Sequence, residues 1–372
     1  MSASVIGLGT EHLDNAPYEQ VKETIDAALS QGINIMDVFM PGDAVRENIA
    51  KAIGTRRKDV YLQAHIGSVD VREQYDRTRD VSVCELYFEK FLRIFKTDYV
   101  DLGMMFMIDT DEDFKSVFES DYVDYVQKLK TQGKVRAIGA SSHNPQTARR
   151  IVETGLVDVL MFSINMAYDM TPADVDILDS LTGGFEPSIF NGMDSERSDL
   201  YRLCESRNVA ITVMKTLGAG KLLSAEHTPF GKPMTVGQCI HYALTRPAVV
   251  SALVGCENGS EVMEAVKYLA LTEEERDYSE VAKTFKGSFK GNCVYCNHCL
   301  PCPAGIDIAS LTKFLDIARL DKANIPPSIQ QHYQSLNHKA SECVACGQCE
   351  TRCPFGVYVM RNMQEAQLIF GS

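Results

Sequence analysis

"YVDLGMMFM" (Tyr99–Met107), "FKSVFESDYVDYVQKLKTQG" (Phe114–Gly133) and "VRAIGAS" (Val135–Ser141) follow one another as a β-rich run, an amphipathic stretch and a second β-rich run. Two apolar runs separated by a helix-length crossover are what parallel strands need, because no short hairpin can join a parallel pair. The same rhythm continues outward in both directions. "SVIGLGT" (Ser4–Thr10), "INIMD" (Ile33–Asp37) and "VYLQAHI" (Val60–Ile66) come before it; "VDVLMFSI" (Val157–Ile164), "VAITVMK" (Val209–Lys215) and "VVSALVG" (Val249–Gly255) come after. Eight strands alternating with helices predict an α/β fold, a (β/α)8 TIM barrel with the helices outside. The competing fold, an open doubly wound sheet, needs a glycine-rich phosphate turn after its first strand. "GLGTEHLD" (Gly7–Asp14) does not supply GxGxxG, which favours the barrel.

The alternation stops near residue 270, so residues 1–270 are expected to form the barrel, 271–291 a linker and 292–372 a second, small domain. That tail holds eight of the 12 cysteines, in "CVYCNHCLPCP" (Cys293–Pro303) and "CVACGQCETRCP" (Cys343–Pro354). In each run three cysteines lie three apart and a fourth precedes a proline. One loop of that spacing can wrap three thiolates around a cubic cluster, while the fourth points elsewhere; in two-cluster ferredoxins it serves the other cluster. The pattern predicts two 4Fe-4S clusters with crossed ligands: Cys293, Cys296, Cys299 and Cys353 for one, Cys343, Cys346, Cys349 and Cys302 for the other. Two four-cysteine zinc sites are the competing reading, but zinc ribbons pair CxxC knuckles from distant loops and need no such crowding. Disulfides compete less well in a reducing compartment. The first run is one residue shorter between Cys299 and Cys302, so its cross-ligating turn is expected to be tighter. "IDIASLTKFLDIARLD" (Ile306–Asp321), "SIQQHYQSLN" (Ser328–Asn337) and "VYVMRNMQEAQLIF" (Val357–Phe370) carry helical apolar spacing, so the tail resembles a helical two-cluster ferredoxin domain. Cys84, Cys204, Cys239 and Cys256 are scattered singly in apolar contexts and read as core residues.

Composition narrows the partners. The net charge of -13 argues against binding the phosphate backbone of nucleic acid, which takes clustered Lys and Arg. No run approaches the roughly 20 apolar residues of a membrane helix, and "MSASVIGLGT" (Met1–Thr10) has no basic segment leading into an apolar one. The expected location is cytoplasmic, with no membrane and no nucleic acid among the partners, but with a small-molecule substrate and a redox partner protein.

Barrel chemistry sits where the strands end. Those positions hold Asp37, His65, Phe106, Ser141, Ser142, His143, Asn165, Lys215, Gly255 and Glu257. Taken in order, "GLGT", "GINIMDVF", "VRENIAKAI", "DYVDLGMM", "GKVRAIGASSHN", "VDVLMFSIN", "VAITVMKTLGAGKLL" and "ALTRPAVVSALVGCENGSEV" resemble the aldo-keto reductases, in particular those with a C-terminal two-cluster ferredoxin segment. The resemblance implies a barrel that binds a nicotinamide cofactor across its mouth and reduces carbonyls with an Asp, Tyr, Lys, His tetrad.

Here the tetrad is incomplete. Asp37 matches, but Gly42 stands for the tyrosine, His65 for the lysine and Phe106 for the histidine. The family tyrosine protonates the developing alkoxide, so hydride transfer would lack its proton donor. His65, paired with Asp37, is the replacement expected, since imidazole titrates near neutrality and a carboxylate fixes its tautomer. Tyr75 and Tyr168, in rim loops, are further candidate acids. For the cofactor, the resemblance assigns Ser141, Ser142 and Asn165 at the rim and the loop from Lys215 through Gly218, where backbone amides approach a pyrophosphate. Met161 replaces the glutamine that stacks under the nicotinamide, and Glu257 would repel a 2′-phosphate, which favours a flavin or NAD over NADP. A nicotinamide delivers two electrons at once and each cluster one, so a flavin is a natural converter. Three readings follow: an iron-sulfur oxidoreductase passing electrons to a flavin or substrate at the mouth; an NAD(P)H-dependent carbonyl reductase with structural or sensory clusters; and a non-catalytic barrel scaffolding an electron-carrier tail. The 271–291 segment could extend about 70 Å, so the tail is expected to pack near the rim beside Asp37 and His65.

Overall fold

Eight parallel strands close into the barrel: β1 (Ile6–Gly9), β2 (Ile35–Val38), β3 (Tyr61–Ile66), β4 (Val100–Met105), β5 (Val135–Ser142), β6 (Val159–Ser163), β7 (Ala210–Met214) and β8 (Val249–Gly255). Each pairs with its sequence neighbours, and β1 closes on β8. The structure, a computed structural model, describes residues 1–72, 74–190, 192–283 and 289–371. Within the expected linker, 284–288 therefore lie outside the described residues, as does Ser372 at the end of the tail.

Both faces of each strand are apolar because both are covered, and strand periodicity sorts the side chains. Met36, Leu62, Ala64, Ile138, Leu160 and Ile211 face the helical sleeve, whereas Ile35, Leu102, Met104, Val159, Met161 and Leu253 fill the lumen. The lower lumen is plugged by Tyr61 and Ala3, with the Ser2 amide donating to Tyr61 Oη at 3.2 Å and the Asn34 side chain bonding Ser2 and Ser4. Gly139 of β5 lies so close to Met104 that an added Cβ would overlap its sulfur and stand 2.9 Å from the Val159 carbonyl. Gly139→Ala is expected to lower stability by about 1–3 kcal/mol, the range for overpacking, read as a lower urea midpoint.

The sleeve comprises α1 (Tyr18–Ser30), α2 (Asp43–Ile53), α3 (Val81–Phe95), α4 (Asp111–Phe118), α5 (Asp121–Thr131), α6 (Pro145–Glu153), α7 (Ser195–Ser206), α8 (Val236–Leu244) and α9 (Gly259–Val266). Caps fix their starts: Asp80 accepts from the Ser82 and Val83 amides, and Asn144 from Thr147 ahead of Pro145. The stretch after β4 is two helices, because Ser120 caps a new start by accepting from the Tyr122 amide. A two-stranded hairpin, Ser68–Val71 with Gln74–Arg77, rises from the end of β3. The tail forms α10 (Ile308–Ala318), α11 (Pro327–Ser335) and α12 (Val359–Phe370), within a few residues of the apolar-spaced stretches. Among the described residues no helix is long and apolar enough to cross a membrane.

Among the described residues none of the tail lines the mouth cavity. The tail lies along the outer faces of α7 and α8: Arg246, 1% exposed just beyond α8, donates to the Val294 carbonyl at 2.6 Å and to Tyr278 Oη at 3.2 Å. Its guanidinium also sits over the rings of Tyr242 and Tyr295. Lower down, Ser328 at the start of α11 donates to Glu205 of α7. The described part of the connection folds up against α8 instead of reaching across the mouth. Glu273–Arg276 and Ser279–Ala282 are helical turns, the first closed by a Thr272/Glu275 capping box, and Gln238 of α8 pins the chain by donating to the Asp277 carbonyl at 2.7 Å.

Candidate functional site

Register brings the mouth residues together. Asp37 is level with Gly9 of β1 and Gln63 of β3, and His65 follows Gln63 by two, on the same lumen-facing side. Asp37 Oδ1 accepts from Gln63 Nε2 and lies 2.7 Å from His65 Nε2, while Gln63 Oε1 accepts from Thr212 Oγ1 at 3.1 Å. Asp37 and His65 are 2% and 7% exposed. Phe106 and Phe39 flank the imidazole with ring centres 5.3 and 6.0 Å away, and Tyr75 packs against both phenylalanines. Burial raises the Tyr75 pKa. His65 Nδ1 is buried without a hydrogen-bond partner. Leaving such a nitrogen unpaired costs about 1–3 kcal/mol, and of the pair it is Asp37, not His65, that is among the residues lining the mouth cavity.

Beside the pair opens a mouth cavity of about 580 Å³, floored by Asp37 and Met161 and walled by Gly9, Thr10, Lys215 and Gly220. Four carboxylate residues, Glu11, Glu257, Glu261 and Glu264, join its wall, against one lysine. Lys215 lines the cavity from left-handed backbone at φ 58°. Ser141, Ser142, Asn165 and Gly218 are not among the cavity's described lining residues. Their groups have other partners: Ser141 Oγ accepts from the Met107 amide, Ser142 Oγ donates to the Asp109 carboxylate and the Asn144 carbonyl, and Asn165 donates to the Lys215 carbonyl while capping Tyr168. Gly218 turns the loop at φ 58°, packed on Leu222 and Phe185. Tyr168 is buried, with its hydroxyl taken by Ser180 Oγ at 3.3 Å, away from His65. Gln63, Thr212 and the glutamates beyond Glu257 escape a motif reading, although strand periodicity from His65 points to Gln63.

The cysteine runs interleave. Cys302 lines one enclosed space with Cys343, Cys346 and Cys349, under Ile306, Val359 and Met363. Cys353 lies within electrostatic reach of Cys296 and Cys299, and Arg352 ties the runs by donating to the Cys299 and Pro301 carbonyls, the latter at 2.6 Å. Burial pushes the Cys293 and Cys299 thiols well up, and Cys296 to about 12, so these sulfurs hold their protons unless a cationic partner displaces them. Among the described residues no three or more metal-binding side chains close on one point as a single ion needs; the four thiols around the enclosed space border a volume instead. Soft donors spread around a volume suit a polynuclear cluster. His298, between Cys296 and Cys299, bonds the Asp277 carboxylate and lies 3.0 Å from Ser279 Oγ.

Comparison with known proteins agrees with both halves. Residues 5–238 match the model of the aldo/keto reductase family, and residues 292–358 that of the 4Fe-4S dicluster domain. The chain is 25% identical over 293 residues to the uncharacterized oxidoreductase YqkF of Bacillus subtilis, covering 74% of this chain and 91% of the relative. Among solved structures, the aldo-keto reductase AKR11C1 from Bacillus halodurans superposes with a TM-score of 0.58 at 19% identity, over 76% of this chain and 92% of that one. An aldo/keto reductase from Klebsiella pneumoniae in complex with NADP and acetate gives 0.54 at 17% identity, over 76% and 92%.

Proposed function

Since the chain belongs to the aldo/keto reductase family and carries a 4Fe-4S dicluster domain behind its barrel, we propose that this oxidoreductase passes electrons between two clusters and a small molecule held at the barrel mouth. The observation that carries the reading is the buried Asp37–His65 pair with its free Nδ1, standing where the family's tyrosine and lysine are missing. Asp37 Oδ1 orients the ring through Nε2, and His65 Nδ1 gives or takes the substrate's proton inside an aromatic cage that excludes water. Cys293, Cys296, Cys299 and Cys353 would hold one cluster, and Cys302, Cys343, Cys346 and Cys349 the other. Bound clusters would supply electrons singly, so two transfers complete a two-electron reduction.

A connection exists between tail and mouth. Val236, in the first turn of α8, lines the cavity; Gln238 donates to Asp277; Asp277 bonds His298 between two of the cysteines. The side-docked tail therefore still touches the mouth's wall through one helical turn. A carboxylate-rich wall favours an uncharged or cationic substrate over a phosphate-bearing flavin at this position. The second reading, an NAD(P)H-dependent carbonyl reductase, draws on the Lys215–Gly220 loop, which lines the cavity as a pyrophosphate cradle would, and on the NADP-bound relative.

The test is the anaerobic oxidation of dithionite-reduced protein by a panel of aldehydes and ketones, followed by visible absorbance, with and without NADH or NADPH. His65→Ala should slow it at least about a hundredfold, the lower end of what general acid catalysis contributes, while iron content stays unchanged. Equal rates in the variant would remove His65 from the chemistry. Turnover only with added nicotinamide would move the function to the second reading.

A further inference from the structure

A cavity of about 530 Å³ lies in the seam between barrel and tail, and the mouth chemistry makes no use of it. One wall is α7, with Ser198 and Arg202; the other is the tail, with Cys293, Thr312 and Arg361. Arg246 closes the inner end.

Charge in this seam is unbalanced. Asp316 and Glu365, the carboxylates bordering it, are already engaged: Asp316 by Tyr295 Oη and Arg319, Glu365 by Arg319 and Lys322. Arg202 pairs outward with Asp199. That leaves two guanidinium groups without a carboxylate among the described residues, Arg246 at the inner end and exposed Arg361 at the edge. Two of the lining residues also carry an unpaired polar atom: Arg246 Nε and Thr312 Oγ1, each on a side chain 1% exposed, have no hydrogen-bond partner. A guanidinium group in the wall of a cavity matches phosphate and carboxylate. The volume falls in the range of small-molecule pockets, far more than a lone phosphate fills.

We infer that this seam cavity is a second binding site, for a phosphate-bearing organic molecule of mononucleotide size, seated against the Cys293 loop. Arg246 takes the phosphate at the inner end, and Arg361 at the edge adds the positive field that draws the anion in. The Tyr295 amide, 3.4 Å from Cys293 Sγ, keeps that sulfur at the cavity wall, so a redox-active occupant would sit beside a cysteine of the first run. The inference stands apart from whichever reaction the mouth performs.

The test uses the full chain purified anaerobically with its iron in place, titrated with flavin mononucleotide by fluorescence quenching and with adenosine monophosphate by calorimetry. Saturable binding of the flavin nucleotide is expected. Displacement by the adenine nucleotide would mean that the phosphate is what the site reads; retention against it would mean that the ring contributes too. Arg361→Glu, a surface change that leaves folding intact, should weaken binding at least tenfold, and Ser198→Trp, which fills the cavity without altering charge, should abolish it. Lys215→Gln at the mouth should leave it unchanged. Absence of saturable binding for both nucleotides, or binding that ignores Arg361→Glu and Ser198→Trp, overturns the assignment.

Discussion

Cys302→Ala is expected to remove one whole cluster, about four of the about eight irons and as many acid-labile sulfides, although the residue belongs to the first cysteine run. Its thiol borders the space shared by Cys343, Cys346 and Cys349, whereas Cys353 lies within electrostatic reach of Cys296 and Cys299. Double variants separate this from the uncrossed arrangement. Adding Cys343→Ala to Cys302→Ala should cost no further iron, because both substitutions strike one cluster; adding Cys293→Ala should remove the rest. The reverse pattern, with iron lost on adding Cys343→Ala and unchanged on adding Cys293→Ala, means that each run serves its own cluster. Two zinc ions per chain and no sulfide would dismiss iron-sulfur chemistry altogether.

Asp169→Ala should be the most damaging single change in the barrel. The carboxylate is fully buried and accepts from Arg197 Nε at 3.1 Å, Tyr242 Oη at 2.7 Å and Tyr201 Oη. It thereby locks α7 and α8 to the end of β6, since Arg197 also donates to the Ser163 carbonyl. Truncation strands the guanidinium of Arg197, 1% exposed, and leaves two buried hydroxyls seeking acceptors. Breaking a buried pair from one side costs about 3–5 kcal/mol, a large part of the 5–15 kcal/mol that holds a typical domain. The urea midpoint should fall accordingly. Asp111→Ala is the control: that carboxylate also pairs, with Lys115 and Arg150, but at an exposed site where water screens the attraction, so the midpoint should hold. Equal midpoints for the two variants would show that the Asp169 cluster does not brace the barrel. Because Tyr242 meets Tyr278 edge to face on the docking wall, loosening Asp169 should also make the tail more sensitive to protease.

What could be read ahead was whatever the chain encodes over short distances. "VYLQAHI" becomes β3 at Tyr61–Ile66 and "VDVLMFSI" becomes β6 at Val159–Ser163, since a run of β-branched and apolar residues between turns leaves little other way to bury itself. The helices of the tail follow for the same reason, and the cysteine spacing carries its chemistry within a dozen residues. The split between α4 and α5 was missed because one hydroxyl, that of Ser120, outweighs a continuous apolar stripe. The cofactor assignments at Ser141, Ser142 and Asn165 rest on family position; the local partners of those side chains, the Met107 amide, the Asp109 carboxylate and the Lys215 carbonyl, come from other elements and no motif announces them.

Eight strands with helices between them, an incomplete tetrad and eight thiols in a two-cluster pattern are all written in the chain itself. Those are properties of local periodicity and residue type, and they survive without knowledge of which distant residues meet. Only the tertiary structure decided that Gln63 and Thr212 join Asp37 and His65, because that needs the register of β2, β3 and β7 at once. It alone decided that the tail lies on α7 and α8, where Arg246, Tyr278 and Val294 meet across up to 48 residues of chain, and that two guanidinium groups are left facing a cavity between the domains. Docking depends on the fit of whole surfaces assembled from separated segments, and no short stretch of either partner carries that information.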